Sequence, residues 1–343
     1  MMTSLAGDLA SCHDDDGACD EAKSGMPLSP VAAPATEALA IEAASETGGD
    51  DEFDAISELF DDTTSITSSI YAHTLSVAAA IKDMKHAMLM ELTDGKLFYA
   101  PIGENPQKIL DIGTGTGIWA IEVGDLYPSA HILGIDLTPI QPLWVPPNVE
   151  FIVDDCEKDW LTGDVDLAHF RFMAMILRDI PGVLGHAYKS LRPGGWIELQ
   201  ELHGHPYCDD GTMSRDDPFK QLYDLAGQAY QKFGMSTALP AQLKPLLLDA
   251  GFQNIHCKIM KVPIGTWAKD KTMRLIGLYQ KTVVGDFIPT LAGRPFEALG
   301  MSQVEEQVTL ALARKALNDA NVHRYFNYYF WYAQKPGLGG ATV

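Results

Sequence analysis

The sequence predicts an α/β fold on a mostly parallel sheet with crossover helices. Two observations carry this. Apolar, β-branched runs alternate with helix-period segments from residue 108 to residue 201, which is the pattern of repeated βαβ units. The first run, "KILDIG", opens directly into "LDIGTGTGIWA" at 110–120, a strand, glycine loop and helix in the order of a nucleotide-binding unit.

The elements follow in order. Residues 74–98 read as a helix, "LSVAAAIKDMKHAMLMEL", rich in Ala, Met, Leu and Lys and stopped by Asp94-Gly95. "KILDIG" is a strand and "GIWAIEVGDLY" a helix; "AHILGIDL", "NVEFIVDD" and "VDLAHFRF" are further strands. "VLGHAYKSL" is a helix and "GGWIELQEL" a fifth strand. Residues 203–240 break the rhythm with polar loops and a helix near 217–233. "PAQLKPLLLDAGF" is a helix ending at Gly251, "NIHCKIMKVPIG" a strand, 267–320 largely helical, and "YFNYYFWYAQKP" a final aromatic strand. The segments 203–240 and 267–320 are insertions expected to form a helical cap over the carboxyl ends of the strands, where ligands of such sheets bind. Tyr230, Trp267, Phe287 and Phe296 lie in them, and an aromatic lid there would suit a flat apolar acceptor, with packing of the cap as the alternative. Trp119 and Trp196 read as core.

Charge divides the chain. Of the formal net charge of −21, about fifteen units sit in residues 1–62, where Lys23 is the single Lys or Arg. That segment has few large apolar residues, so burial cannot offset its ordering entropy, and a disordered acidic tail is expected there, followed by one domain from 63 to 343. Within the tail, "DEFDAISELFDD" spaces Phe53, Ile56, Leu59 and Phe60 as a helix would, either a docking segment for a protein partner or an incidental turn. The absence of a Lys/Arg stripe argues against nucleic acid as the principal ligand. Cys12, Cys19, Cys156, Cys208 and Cys257 form no C-x-x-C pair, which suits a reducing compartment and no metal site. No signal peptide and no run of 18 apolar residues is present, so no membrane association is expected.

The glycine loop admits two cofactors. Gly115, Gly117 and Ala120 fit the dinucleotide spacing. Asp111, Gly113, Gly115 and Gly117 fit instead a D-x-G-x-G-x-G loop for S-adenosylmethionine. Asp111 favours the second reading: a carboxylate there repels a pyrophosphate and suits the ammonium of a methionine moiety. Asp136, ending "ILGIDL", accepts from ribose hydroxyls under either reading. In "FIVDDCEKDW", Asp155 can accept from an adenine amino group while the Cys156 N–H meets a ring nitrogen; Cys156 itself reads as a small packing residue.

The ordered set 111–117, 136, 154–156 and 191–201 resembles the class I S-adenosylmethionine-dependent methyltransferases. "TDGKLFYAPI", "KILDIGTGTGIWAIEVGDLYP", "GIDLTPIQP", "VDDCEKDW", "HFRF" and "LRPGGWIELQE" resemble more narrowly the LaeA-like methyltransferases of filamentous fungi, over about residues 74–336. The resemblance implies a Rossmann-like, seven-stranded, mostly parallel sheet whose last strand, the Tyr325–Ala333 run, is antiparallel. It implies S-adenosylmethionine held without metal by Asp111, Gly113, Thr114, Gly115, Gly117, Asp136, Asp155 and Cys156. It implies either methylation of a small secondary metabolite at oxygen or nitrogen, in the cytoplasm, or a nuclear regulator of secondary metabolism and development acting through partners. The tail favours the regulator; the lack of a basic import cluster opposes it. A dehydrogenase leaves Asp111 and "DDC" without a role.

For the chemistry, His169 and Arg171 are candidates for the junction of cofactor and acceptor, with structural hydrogen bonding as the alternative. His203 and His205 are candidates for proton abstraction; two histidines without a third ligand make a weak metal site. Glu201 either orients a neighbour or ends its strand in solvent.

Overall fold

A computed structural model describes residues 70–337, all within one compact unit of the chain. The acidic segment 1–62 and its "DEFDAISELFDD" motif lie outside the described residues.

Helix α1 (Ile70–Leu92) ends one residue before the Thr93–Gly95 turn. Then come β1 (Lys108–Ile112), α2 (Ile118–Leu126), β2 (His131–Asp136), β3 (Val149–Val153) and β4 (Val165–Arg171). α3 (Ile180–Ser190) leads directly into β5 (Leu191–Leu202). α4 (Pro218–Gln231), α5 (Leu243–Asp249), β6 (Gln253–Pro263), α6 (Lys271–Phe287), α7 (Arg294–Glu297), α8 (Gln303–Leu317) and β7 (Tyr325–Gln334) complete the unit. The single helix expected over "PAQLKPLLLDAGF" divides into a 3-10 turn, Leu239–Gln242, and α5, because Pro240 starts one turn and Pro245 falls in the first turn of the next. Helix starts are marked chemically: Asp179, Asp217 and Asp270 cap α3, α4 and α6, and Ser302 with Glu305 makes a capping box on α8.

The seven strands lie in the order β3-β2-β1-β4-β5-β7-β6. β7 is antiparallel to both β5 and β6; the other adjacent pairs are parallel. The order reverses between β1 and β4, so a crevice opens beyond their carboxyl ends.

Period-two alternation sorts side chains to the two faces. Leu110, Ile112, Ala168 and Phe170 join α3 and α5 in one core. Ile109 and Leu167 face the other way, against Trp119, Ala120 and Val123 of α2. On the same side, β7 turns Phe326, Tyr328 and Phe330 toward Met88, Leu89 and Leu92 of α1, Phe219 and Leu222 of α4 and Leu310 of α8. The inserted helices therefore cover the β5-β7-β6 half of the sheet. Trp196 is buried as expected. Among the described residues no helix is long and apolar enough to cross a membrane.

Candidate functional site

A cavity of about 670 Å³ occupies the crevice. Its wall is built by the loops that follow β1, β2, β3 and β4, closed on one side by α1. Asp111, Gly113, Thr114, Gly115, Asp136, Asp155, Cys156, His169 and Arg171 all line it, so the fold collects in one place most residues that the sequence singled out. Gly117 stands just behind, as the left-handed cap of α2.

The sheet register explains the floor. Asp111 of β1 lies beside His169 of β4, and parity directs both toward α2. Asp111 is 3% exposed; its Oδ1 is 2.8 Å from His169 Nδ1 and its Oδ2 accepts from the Thr114 hydroxyl at 2.6 Å. The His169 ring lies flat on Trp119, with centroids 3.6 Å apart. Burial pushes His169 down to about 4 despite Asp111, so the imidazole is neutral and Nδ1 donates to the carboxylate. His169 lines the wall while fully buried and fixes the Asp111 carboxylate, the structural hydrogen bonding that the sequence offered as one of its two readings. Trp119 is core, as expected, and also backs this pair.

The glycine loop discriminates between the two cofactor classes. The N–H groups of Gly113 and Thr114 both donate to Ile135 O, Gly115 N–H to Asp136 Oδ2 at 2.8 Å, and Gly117 N–H to Thr114 O. These donors are spent inside the loop, whereas a pyrophosphate site needs them directed at the ligand. The carboxylates of Asp111, Asp136, Asp154, Asp155 and Glu157 in the same wall would repel an anion. A ligand with an ammonium, ribose hydroxyls and an adenine amino group fits them. At Gly117 (φ 81°) a Cβ would run into the Phe151 ring, so glycine is required for closeness as well as for conformation; at Gly113 (φ 72°), where the neighbour is the flexible end of Met173, conformation is the stronger requirement. Asp136 Oδ1 also accepts from Thr138 N–H, which fixes the carboxylate between two loops.

Cys156 packs in the wall with its carbonyl accepting from Trp160 Nε1, and burial pushes its thiol up to about 11, which makes it unreactive as the sequence suggested.

The end of β4 carries a second group of charges. Arg171 lies beside Gln200 of β5 in register; its Nε donates to Gln200 Oε1 at 3.0 Å, and its Nη1 is 2.9 Å from His86 Nδ1. Gln200 in turn donates to Glu198, whose other oxygen accepts from Tyr99 and Ala100 N–H, both at 2.7 Å. Burial pushes Glu198 up to about 7. Glu201 is fully buried: Oε1 accepts from Met173 and Ala174 N–H, both at 3.1 Å, and burial raises its carboxyl to about 8. Of the two sequence readings of Glu201, orientation of a neighbour is the one the structure supports.

One expectation is corrected. His203 does not line the cavity; its Nδ1 is 2.7 Å from the Tyr207 hydroxyl, within a cluster with His205 and Tyr329, and burial lowers it to about 4. His205 faces Asp224 at 3.7 Å. Of the two readings of the inserted aromatic residues, packing of the cap is the one found: Phe287, Phe296 and Tyr230 pack in the α4–α6–α8 core, and Trp267 packs against Ala268 and Tyr325. The inserted segment 203–240 instead buttresses the rim, where Ser236 N–H donates to Met175 O.

Lys82, Lys85 and His86 of α1 are functional candidates that the sequence reading missed. Thr116 Oγ1 donates to Asp83 Oδ1 at 2.7 Å, tying the helix to the glycine loop. The only signal in the sequence is a K-x-x-K-H spacing, which is also that of a solvated helix face.

Comparison with known proteins agrees with this geometry. A family described as "Methyltransferase domain" matches residues 84–257. The methyltransferase pytC of Aspergillus terreus is 36% identical over 257 residues, which are 74% of this chain and 79% of pytC. The secondary metabolism regulator LAE1 of Cochliobolus heterostrophus is 32% identical over 263 residues, 74% of this chain and 86% of LAE1. Among solved structures, the phosphoethanolamine N-methyltransferase 2 of Haemonchus contortus, in complex with S-adenosyl-L-methionine, matches at 17% identity with a TM-score of 0.42. That match covers 74% of this chain and about half (52%) of the nematode protein.

Proposed function

The chain belongs to the S-adenosylmethionine-dependent methyltransferases, in their LaeA-like fungal branch, and on that premise we propose that it methylates a small secondary metabolite at oxygen or nitrogen. The observation that supports the donor assignment is the wall itself: carboxylates at the ends of β1, β2 and β3 around a loop whose N–H groups are already bonded.

S-adenosylmethionine supplies a methyl group on a sulfonium, ready for in-line displacement. The residues have separate tasks. Asp111, held by His169 and Thr114, receives the ammonium. Asp136, held by Gly115 and Thr138, accepts from the ribose hydroxyls. Asp155 and the Cys156 N–H meet the adenine edge. The turn from Phe172 to Arg178 and the α1 side chains form the acceptor end. Most of the rate comes from positioning the acceptor there.

Calorimetry tests the reading. S-adenosylmethionine is expected to bind and NAD(H) is not; Asp136→Ala is expected to abolish measurable binding by removing the ribose acceptor and loosening the loop. Binding of NAD(H) alone would overturn the reading.

A second reading has its own support, because the similarity to regulators named LAE1 and laeA is only slightly below that to pytC. In it the chain acts in the nucleus, its acidic segment 1–62 docks a protein partner, and catalysis is secondary; in the first it acts in the cytoplasm. Deleting residues 1–62 is expected to leave cofactor binding and turnover intact while abolishing partner capture if the second reading holds. Lost turnover would mean that the segment helps to close the site.

A further inference from the structure

Lys85 lies in the cavity wall at the carboxyl end of β4, beside Phe172 and Arg171. Its ammonium sits 3.5 Å from the centroid of the Phe172 ring. Phe172 holds a left-handed backbone, φ 59°, which an aromatic side chain adopts only when its surroundings impose it. The imposition is visible. Phe172 N–H donates to Gln200 O at 3.0 Å, Glu201 clamps the next two N–H groups, and the ring meets Tyr328 edge-on. An apolar plate with a lysine above it is thus built deliberately into the wall.

The titratable groups facing Lys85 come from three elements: Lys82 of α1, Arg171 of β4 and Glu201 of β5. His86, next on α1, is held toward its neutral form by burial and Arg171. Glu201 Oε2 is buried without a hydrogen bond among the described residues. Burial, and after it the cations of Arg171 and Lys82, weaken Lys85's hold on its proton and bring it down to about 8, while Glu201, once ionised, opposes the shift.

We propose that Lys85 is the base that takes the proton from the methyl acceptor, and that the acceptor is therefore a phenolic or enolic hydroxyl presented to Lys85 from the cavity. This rests on the methyltransferase reading and extends it to the acceptor class. A carboxylate or a neutral amine attacks a methyl sulfonium without prior proton removal; a hydroxyl of ordinary acidity gains from a base. Cations at this end favour an acceptor that becomes an anion and disfavour a cationic one. In the step, the acceptor O–H bond breaks and its proton joins the Lys85 Nζ lone pair. The acceptor oxygen bonds the methyl carbon as the carbon–sulfur bond breaks, its electron pair remaining on sulfur. Lys85 then releases the proton to solvent. Glu201 is a positioning residue: it shapes the Phe172 turn and tunes Lys85.

The experiment uses the full chain with S-adenosylmethionine and four probes: weakly acidic 1-naphthol, 4-nitrophenol (largely ionised at about pH 8), aniline and benzoate. Release of S-adenosylhomocysteine is the readout. Calorimetry first separates the two claims, because absent cofactor binding would remove the methyltransferase reading itself. With cofactor bound, the wild type is expected to methylate the two phenols, its kcat/KM for 1-naphthol rising with pH through a midpoint near 8 and levelling off above it. Lys85→Gln is expected to lose roughly 100-fold or more in kcat on 1-naphthol, to lose little on the pre-ionised 4-nitrophenol, and to abolish the pH limb. Lys85→Arg, which keeps the charge without a usable base, is expected to behave like Lys85→Gln; melting curves check that both variants fold. Equal losses on both phenols, weakened cofactor binding as the main defect, turnover of aniline or benzoate instead, or silence across the panel would each overturn the assignment.

Discussion

At the residue scale, Asp111 shows how one carboxylate serves both loop and ligand. Its two oxygens are already engaged by His169 and Thr114, yet each keeps acceptor capacity toward the cavity. Asp111→Asn preserves size but removes the charge and sets an amide N–H against either His169 Nδ1–H or the Thr114 hydroxyl. A charge-assisted hydrogen bond contributes about 1.5–3 kcal/mol, so cofactor affinity is expected to fall about 10- to 100-fold by calorimetry. Unchanged affinity would show that Asp111 only organises the floor. The sequence marked Asp111 through its place before the glycines, but it held no sign of the His169 partner 58 residues on. That pairing is a register fact of two parallel strands.

The glycine loop and α2 form the unit of interest at the element scale. The loop passes from β1 to α2 through three glycines of positive φ, the last of which is the helix cap. Replacing Gly117 by Ala puts a Cβ 2.3 Å from the Phe151 ring, a rigid neighbour on β3 that cannot swing away as the Met173 side chain can beside Gly113. Strain and overpacking together are expected to cost about 1–4 kcal/mol, read as a lower Tm, whereas Gly113→Ala should cost less stability and more affinity. Helix α1 illustrates the opposite kind of element. Its helicity was legible from Ala, Met and Leu content, and its stop from Asp94-Gly95. Its role as a cavity wall was not, because which face of a helix meets a ligand depends on the docking of its apolar side, here Met88, Leu89 and Leu92 against the inserted helices.

For the whole molecule, buried titratable groups couple stability to pH. Glu198 and Glu201 have folded values raised to about 7 and about 8, so their contribution is full below the ordinary carboxylate range and is lost as pH rises through those values. His169 is depressed to about 4, so its contribution is present above the ordinary histidine value and is lost as pH falls toward 4. Tm is therefore expected to decline from about pH 6 to about pH 8, and Glu201→Gln, which mimics the protonated carboxyl, should flatten part of that decline by a few degrees. A wild-type Tm that stays level or rises over that interval would contradict the assignment of neutral buried carboxyls. The inserted segments also belong to this scale. Of the two sequence readings of their aromatic residues, packing of the cap is the one found, since Tyr230, Phe287 and Phe296 fill a core against β7.

The sequence by itself determined the order of strands and helices, the glycine loop, the acids that end β1, β2 and β3, and the methyl donor they imply. These are local properties: periodicity, turn chemistry and the charge placed at a strand end. Only the tertiary structure decided what meets across strands and between layers. It paired Asp111 with His169, buried Glu201 beneath the Phe172 turn, took His203 out of the cavity and brought Lys85 into it. The physical reason is that burial and neighbouring charge, which set whether a side chain holds or yields a proton, come from contacts between residues far apart in the chain.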